Sequence, residues 1–300
     1  MIDELLDQLE GAFAPNTLRS YRADFEHFQD WCHVHVVDPF NANSEDIAAY
    51  IESMVHEKKS ATIRRRINAL RSIFRYMELP NPAAEYDASL ALRRMNRKLG
   101  RAQIQATPLT RNILDKLMAT CNDRPKGRRD RVLLQLGYET MRRRSELCSF
   151  AFEDLSTLPT GKPAILVRRS KTDQEGQGKI LPISGRLISL IEAWRALFIE
   201  QGLSPTGPIL RRVYKDGKIG PKGFEYRTIS DLLKELQHAA GLNDIPPLSG
   251  HSFRVGAALD LLERGVPFEK IMLRGDWKSE TTALSYLRAW VGDDFHVYED

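Results

Sequence analysis

The stretch Leu248-Ser249-Gly250-His251-Ser252-Phe253-Arg254-Val255-Gly256-Ala257-Ala258 decides how the chain is read. Gly250 closes one segment, and the residues after it predict a helix over 251–264. His251 and Arg254 stand at i and i+3, on one face near the start of that helix, where backbone N–H groups already favour an anion. By itself such a pair arises by chance in an arginine-rich chain. Three other clusters in the same half of the sequence bear on it. Upstream, Thr140-Met141-Arg142-Arg143-Arg144-Ser145-Glu146-Leu147 puts three arginines where a helix reaches a turn. Consecutive residues on a helix point in different directions, so only one or two of the three can serve a single site. Between them lies Arg168-Arg169-Ser170-Lys171-Thr172, at the start of a polar loop. Downstream come Gly275-Asp276-Trp277 and, nine residues after the tryptophan, Tyr286 in a helix expected at about 279–289. Taken singly, these clusters also read as a solvated basic turn, a solvated lysine and a packed tyrosine with its hydroxyl at the rim.

Composition bounds the class. The 300 residues are 42% hydrophobic and 28% charged, which suits a globular chain of about two domains. Lys and Arg number 44 against 40 Asp and Glu, so the balance says little and the placement says more. The three cysteines, Cys32, Cys121 and Cys148, lie far apart, which argues against a disulfide framework or a structural zinc cluster and for a reducing compartment. The first residues, Met1-Ile2-Asp3-Glu4-Leu5-Leu6-Asp7, are acidic where a signal peptide is basic. No apolar run reaches the length of a membrane span, about 18 residues. A cytoplasmic protein is expected, nucleoid-associated in a bacterial host.

The first half reads as helices. Leu18, Tyr21, Phe25, Phe28 and Trp31 or Cys32 predict one over 17–35, capped by Asn16 or Thr17. A second follows Asn43-Ser44, with Ile47, Tyr50, Ile51 and Met54 on one face. A third, from Ser60 toward Leu79, has an apolar stripe of Ile63, Ile67, Leu70 and Phe74, with Arg64, Arg71 and Arg75 on another face. After Leu79-Pro80-Asn81-Pro82 comes a short basic helix from about Ser89 to Leu99, carrying Arg93, Arg94, Arg97 and Lys98. Ten basic residues against three acids over 61–101 make a candidate phosphate-binding surface, or a solvated face. Residues 100–110 lack periodicity and read as a linker. Beyond it, helices are expected at 111–122, 128–149, 185–201, 228–240, 251–264, 267–273 and 279–289, with two short β runs, Ala164 to Val167 and Lys179 to Ile183, forming a hairpin. The fold class is mainly α.

Taken together and in order, Arg143, Glu146, Lys171, His251, Arg254, Trp277 and Tyr286 resemble the tyrosine site-specific recombinases, the phage integrase family, and 248–258 with Gly275-Asp276-Trp277 is most similar to the Cre branch. The motifs cover about 110–290, and the likeness extends loosely over the first half. Met141 and Arg142 depart from the small and apolar residues usual before the family's arginine, and Trp277 replaces its commoner histidine.

The resemblance implies a two-domain DNA clamp: a helical core-binding domain over 1–102, a linker at 103–110 and a catalytic domain over 111–300. It implies site-specific cutting and rejoining of double-stranded DNA at short inverted repeats, through a 3′-phosphotyrosine on Tyr286. Two guanidinium forks, Arg143 and Arg254, would clamp the phosphate bidentately. Trp277 would donate its indole N–H, and His251 would accept the phenol proton. Lys171 would protonate the departing 5′-hydroxyl, while Glu146 would brace His251 or an arginine. Neither metal nor other cofactor is called for. Arg64, Arg71, Arg75, Arg93, Arg94, Arg97 and Lys98 are the candidate DNA contacts. The few residues ahead of Asn16 lead to the expectation of a simple recombinase without an arm-binding domain. Trp290, Val291, Phe295 and Val297 would dock on a neighbouring protomer in a tetramer on two DNA sites. Tyr214, Tyr226 and Tyr298 lack the spacing of Tyr286 from the tryptophan. The rival enzymatic readings are a type IB topoisomerase and a telomere resolvase, and the rivals of another class are a non-catalytic DNA-binding regulator and a helical structural protein.

Overall fold

The computed structural model describes residues 1–101, 105–170 and 176–287. The chain divides into two compact units, Met1–Ile104 and Gln105–Asp300. The described residues are mainly helical, with two small antiparallel sheets.

The first unit holds α1 (Ile2–Gln8), α2 (Pro15–His35), α3 (Ser44–Met54), α4 (Ser60–Tyr76) and α5 (Tyr86–Leu99). Helix α2 begins earlier than its apolar spacing predicts, because Pro15 occupies the first turn, where its missing N–H costs nothing. Asn16, expected as the cap, instead accepts a hydrogen bond from Arg19 at 3.0 Å. Helix α3 opens on a capping box, in which the Asp46 N–H donates to Asn43 at 3.0 Å and the Asn43 N–H to Asp46 at 2.9 Å. Helix α5 starts ahead of the expected Ser89 because its cap comes from elsewhere: Ser44 Oγ accepts from the N–H groups of Asp87 and Ala88 at 3.1 and 3.2 Å. Ile63, Ile67, Leu70 and Phe74 are buried as their stripe requires, against Phe25, Phe28 and Tyr50.

A polar chain runs beside this core. Arg66 donates to His27 Nε2 at 2.6 Å, which leaves the ring proton on Nδ1 to reach the Tyr50 hydroxyl at 2.8 Å. Buried Asp24 accepts from Arg65 and lies 3.8 Å from Arg66 Nε. Burial raises the Asp24 pKa against the pull of both arginines. Burial, Arg66 and Lys58 lower that of His27, opposed by Asp30 and Glu57.

The second unit contains α6 (Arg111–Thr120), α7 (Pro125–Thr140), α8 (Arg144–Ser149), α9 (Gly185–Glu200), α10 (Ile229–Ala239), α11 (Ser252–Glu263), α12 (Phe268–Gly275) and α13 (Glu280–Leu287). The expected helix over 128–149 is broken in two, because Met141 takes a left-handed conformation, φ 53°, between α7 and α8. The expected hairpin is part of a larger sheet, β1 (Leu155–Thr157), β2 (Pro163–Val167) and β3 (Lys179–Pro182), in that order, with Val167 opposite Lys179. A second pair, β4 (Arg211–Val213) and β5 (Ile219–Gly223), lies in a stretch for which the sequence predicts neither helix nor strand. Three residues are too few for alternation, and Gly220, Pro221 and Gly223 disguise β5.

The main core gathers Leu133, Leu134, Leu136, Trp194, Phe198 and Phe253, with the Trp194 indole donating to the Ile209 carbonyl at 2.7 Å. A smaller cluster of Met141, Ala257, Ala258, Ile271, Trp277, Ala283 and Leu287 packs the end of α7 with α11, α12 and α13. Among the described residues no helix is long and apolar enough to cross a membrane.

A histidine whose folded pKa is lowered binds fewer protons than in the unfolded chain, so its contribution to stability is complete above its ordinary value, about 6.5, and is lost progressively as pH falls from there through the lowered one. Thermal melts of the wild type are expected to decline between pH 7.5 and 5.5, and His27→Gln to decline less; parallel curves for the two proteins would remove His27 from the acid sensitivity.

Candidate active site

The small cluster carries the site, and the left-handed turn at Met141 sorts the three arginines. Arg142 turns inward and is 1% exposed, donating to the carbonyls of Thr140 (2.9 Å) and Arg274. Arg143 becomes the N-cap of α8, where its guanidinium donates to Glu146 Oε1 at 2.8 Å and its own N–H to Oε2 at 3.1 Å. Glu146 therefore braces Arg143. Arg144 leaves the site and reaches Ser230 at 3.3 Å, its stem lying over Gly250, where any Cβ would fall 2.1 Å from it.

Arg254 enters from the first turn of α11 and is 1% exposed. Its two terminal nitrogens donate to the carbonyls of Met141 and Gly275, each at 2.7 Å. One bond from each terminal nitrogen thus goes to backbone, and the nitrogen left with no partner at all is Nε. Burial, then Arg143 and Arg142, lower its pKa to about 10, against Tyr286 and Glu146, so it stays charged at neutral pH.

Trp277 follows Asp276, which caps α12 in the left-handed region at φ 56°. A Cβ at Gly275 would meet the indole at 2.3 Å, so glycine is required there. The indole is 6% exposed and its Nε1–H has no partner. It lies 4.8 Å from the Arg254 guanidinium and 5.6 Å from the ring of Tyr286, which α13 supplies half-buried. The exposed ring of His251 lies parallel to Tyr286 at 6.2 Å and 6°. His251 and Arg254 thus share a helix start but differ in depth.

Two buried N–H donors without partners, on Arg254 and Trp277, stand beside a tyrosine, a histidine and a second arginine. Leaving such donors unmet costs about 1–3 kcal/mol each, so the arrangement suits an oxyanion. Among the described residues no group of three His, Cys, Asp or Glu is placed to hold a metal. Lys171, Trp290, Val291, Phe295, Val297 and Tyr298 lie outside the described residues. Tyr214 and Tyr226 belong to the β4–β5 turn and the 3-10 turn before α10. The sequence reading gave Asp276 no role, yet its carboxylate accepts from Ser170 at 2.8 Å and stands 3.9 Å from both Arg142 and Arg143.

In the first unit, Arg75, Arg93, Arg94, Arg97 and Lys98 are exposed. Arg64 and Arg71 are half-buried, Arg64 donating to the Ser60 carbonyl at 3.4 Å and Arg71 to that of Ala83 at 2.6 Å. Arg71 braces the turn after α4 with the same guanidinium that the sequence assigned to DNA.

The phage integrase family model matches residues 108–290, and the model of the phage integrase N-terminal SAM-like domain matches 2–79. An integrase/recombinase XerD homolog from Selenomonas ruminantium is 30% identical over 93% of this chain and 83% of its own. Recombinase Cre of Escherichia phage P1 is 26% identical over 92% of this chain and 85% of its own. In fold, the chain is similar to XerH site-specific recombinase bound to a palindromic difH substrate (TM-score 0.67, 17% identity, 90% of this chain and 75% of that one). It is likewise similar to a lambda integrase tetramer bound to a Holliday junction (TM-score 0.64, 18% identity, 95% and 75%).

The helix carrying His251 and Arg254 is held close by Gly256, where a Cβ would lie 2.0 Å from the backbone of Leu109, whose N–H donates to the Ser252 carbonyl at 2.9 Å. Gly256→Ala is expected to cost about 1–3 kcal/mol or more, a fall of several degrees in Tm. A melt unchanged within a degree would show that the two segments separate easily.

Proposed function

The chain belongs to the phage integrase family of tyrosine recombinases, enzymes that break and rejoin DNA, and we propose that it does so at short inverted-repeat sites through a covalent bond between Tyr286 and a DNA 3′-phosphate. What supports this reading is the parallel pair of Tyr286 and His251 beside the unpartnered N–H groups of Arg254 and Trp277.

The Tyr286 oxygen attacks the scissile phosphorus, the phenol proton passes to His251, and the bond from phosphorus to the 5′-oxygen breaks. Charge grows on the non-bridging oxygens, where Arg143, Arg254 Nε and Trp277 Nε1 donate; such preorganised donors are worth about 3 kcal/mol each. Glu146 keeps Arg143 in place. Lys171 is assigned the proton for the departing 5′-hydroxyl. Attack by a 5′-hydroxyl of another strand reverses the step, and because one phosphodiester replaces another, no external energy source is called for.

The first unit is assigned to core-site binding, with exposed Arg75, Arg93, Arg94, Arg97 and Lys98 on phosphates and Arg64 beside them. We assign the active assembly to four protomers on two sites, docked through the segment with Trp290 and Phe295. The cytoplasm, where DNA is accessible, is the proposed compartment.

Covalent capture on nicked duplexes of random sequence, followed by denaturation and sequencing, tests the chemistry. Wild type is expected to retain DNA that converges on an inverted repeat, and Tyr286→Phe to retain none. Attachment without convergence would favour a topoisomerase, and attachment by the phenylalanine variant would move the nucleophile elsewhere. Arg75→Ala with Arg93→Ala is expected to weaken binding and to lower the slope of log K against log salt by about two; an unchanged slope would take both arginines off the phosphates.

A further inference from the structure

Three guanidinium groups, of Arg142, Arg143 and Arg254, gather at this site with two carboxylates, of Glu146 and Asp276. Glu146 is committed to Arg143, holding both its side chain and its N–H. Arg142 is buried and makes its hydrogen bonds to carbonyls, which satisfy donors without cancelling charge. Burial pulls its pKa down, and Glu146 and Asp276 are the acids that oppose the pull.

Asp276 sits between these groups. One carboxylate oxygen, Oδ2, accepts from Ser170 Oγ at 2.8 Å and stands 3.9 Å from the nearest nitrogens of Arg142 and Arg143 alike. The longer contacts exceed hydrogen-bond reach, so Asp276 acts on both arginines through its field and leaves their donors to other partners. Its neighbours are Gly275, whose carbonyl holds Arg254, and Trp277, whose indole faces the same guanidinium. The left-handed backbone at φ 56° is one that aspartate and asparagine adopt more readily than other side chains.

We propose that Asp276 is a positioning residue for strand cleavage: its carboxylate balances the Arg142 and Arg143 guanidiniums, so that Arg143 keeps its pose, and anchors Ser170, just beyond β2, against them. This rests on the reading of Tyr286 as nucleophile. The charge is the working part of Asp276. A neutral side chain of the same shape keeps the Ser170 bond and the backbone, yet leaves two neighbouring cations repelling each other. Removing the buried cation of Arg142 relieves that repulsion.

Single-turnover attachment to a captured nicked site, with DNA affinity and Tm measured on the same proteins, separates these effects. Asp276→Asn is expected to slow attachment about tenfold to a hundredfold, the span of coupling between groups in contact, while leaving Kd within about threefold. Asp276→Gly, which keeps the backbone and loses the carboxylate, is expected to slow it at least as much. Arg142→Met added to Asp276→Asn is expected to recover part of the lost rate, because the second change removes the charge that the first left unbalanced. Asp276→Asn at the wild-type rate, or a double variant whose losses multiply, overturns the assignment. So does a double variant that does not fold while Asp276→Gly attaches normally. Failure of the underlying reading has a different signature, in which wild type attaches no DNA or Tyr286→Phe attaches as well as wild type.

Discussion

The side chain on which the site depends is that of Arg254. Its two terminal nitrogens bind the carbonyl where α7 ends and the carbonyl where α12 ends. Hydrogen bonds from a charged donor contribute about 1.5–3 kcal/mol each. Arg143 lies two residues past the first carbonyl and Trp277 two past the second, so one guanidinium sets the position of both. Structure and chemistry share this side chain. Truncating it removes the unpartnered Nε–H proposed for the phosphate and also releases the two turns that carry its neighbours.

Such a site is costly to build. Arginines crowd against one another, two N–H donors face no partner, and Met141 and Asp276 hold left-handed backbone. The surrounding packing offsets this. Met141 itself is fully buried in the cluster that includes Trp277 and Leu287, and its side chain ties the strained turn to the helix bearing Tyr286. The small residues Ala257, Ala258 and Ala283 allow helices to approach closely enough for the rings to meet.

Much of this was legible in the sequence because the relevant residues sit at helix starts and ends, where spacing has a local meaning. His251 before a helix, Arg143 three residues ahead of Glu146 and Tyr286 at a fixed step from Trp277 were gathered by family resemblance, each being weak alone, and the structure places them near one another. The apolar stripe of α4 likewise predicted its buried face. What escaped depended on contacts distant in sequence. The resemblance singled out Arg143, but the inward turn of Arg142 shows only once Met141 bends the chain between α7 and α8. The early start of α5 rests on Ser44, donated from α3. Arg71 looks like its exposed neighbours until the carbonyl of Ala83 comes within reach. Nothing local announces the two carbonyls that hold Arg254. Strands of three residues leave no period to detect.

Leu109 is joined to the carbonyl of Ser252, beside His251, and Gln105 donates to the carbonyl of Ser285, beside Tyr286. A strip of five residues is thus stitched at one end to the helix of Tyr286 and at the other to the helix of His251 and Arg254. Mechanically it is a gauge bar: tension on the strip would load both helices at once, and stretching or slackening it would alter the gap between the rings of His251 and Tyr286 before any of their own contacts had changed.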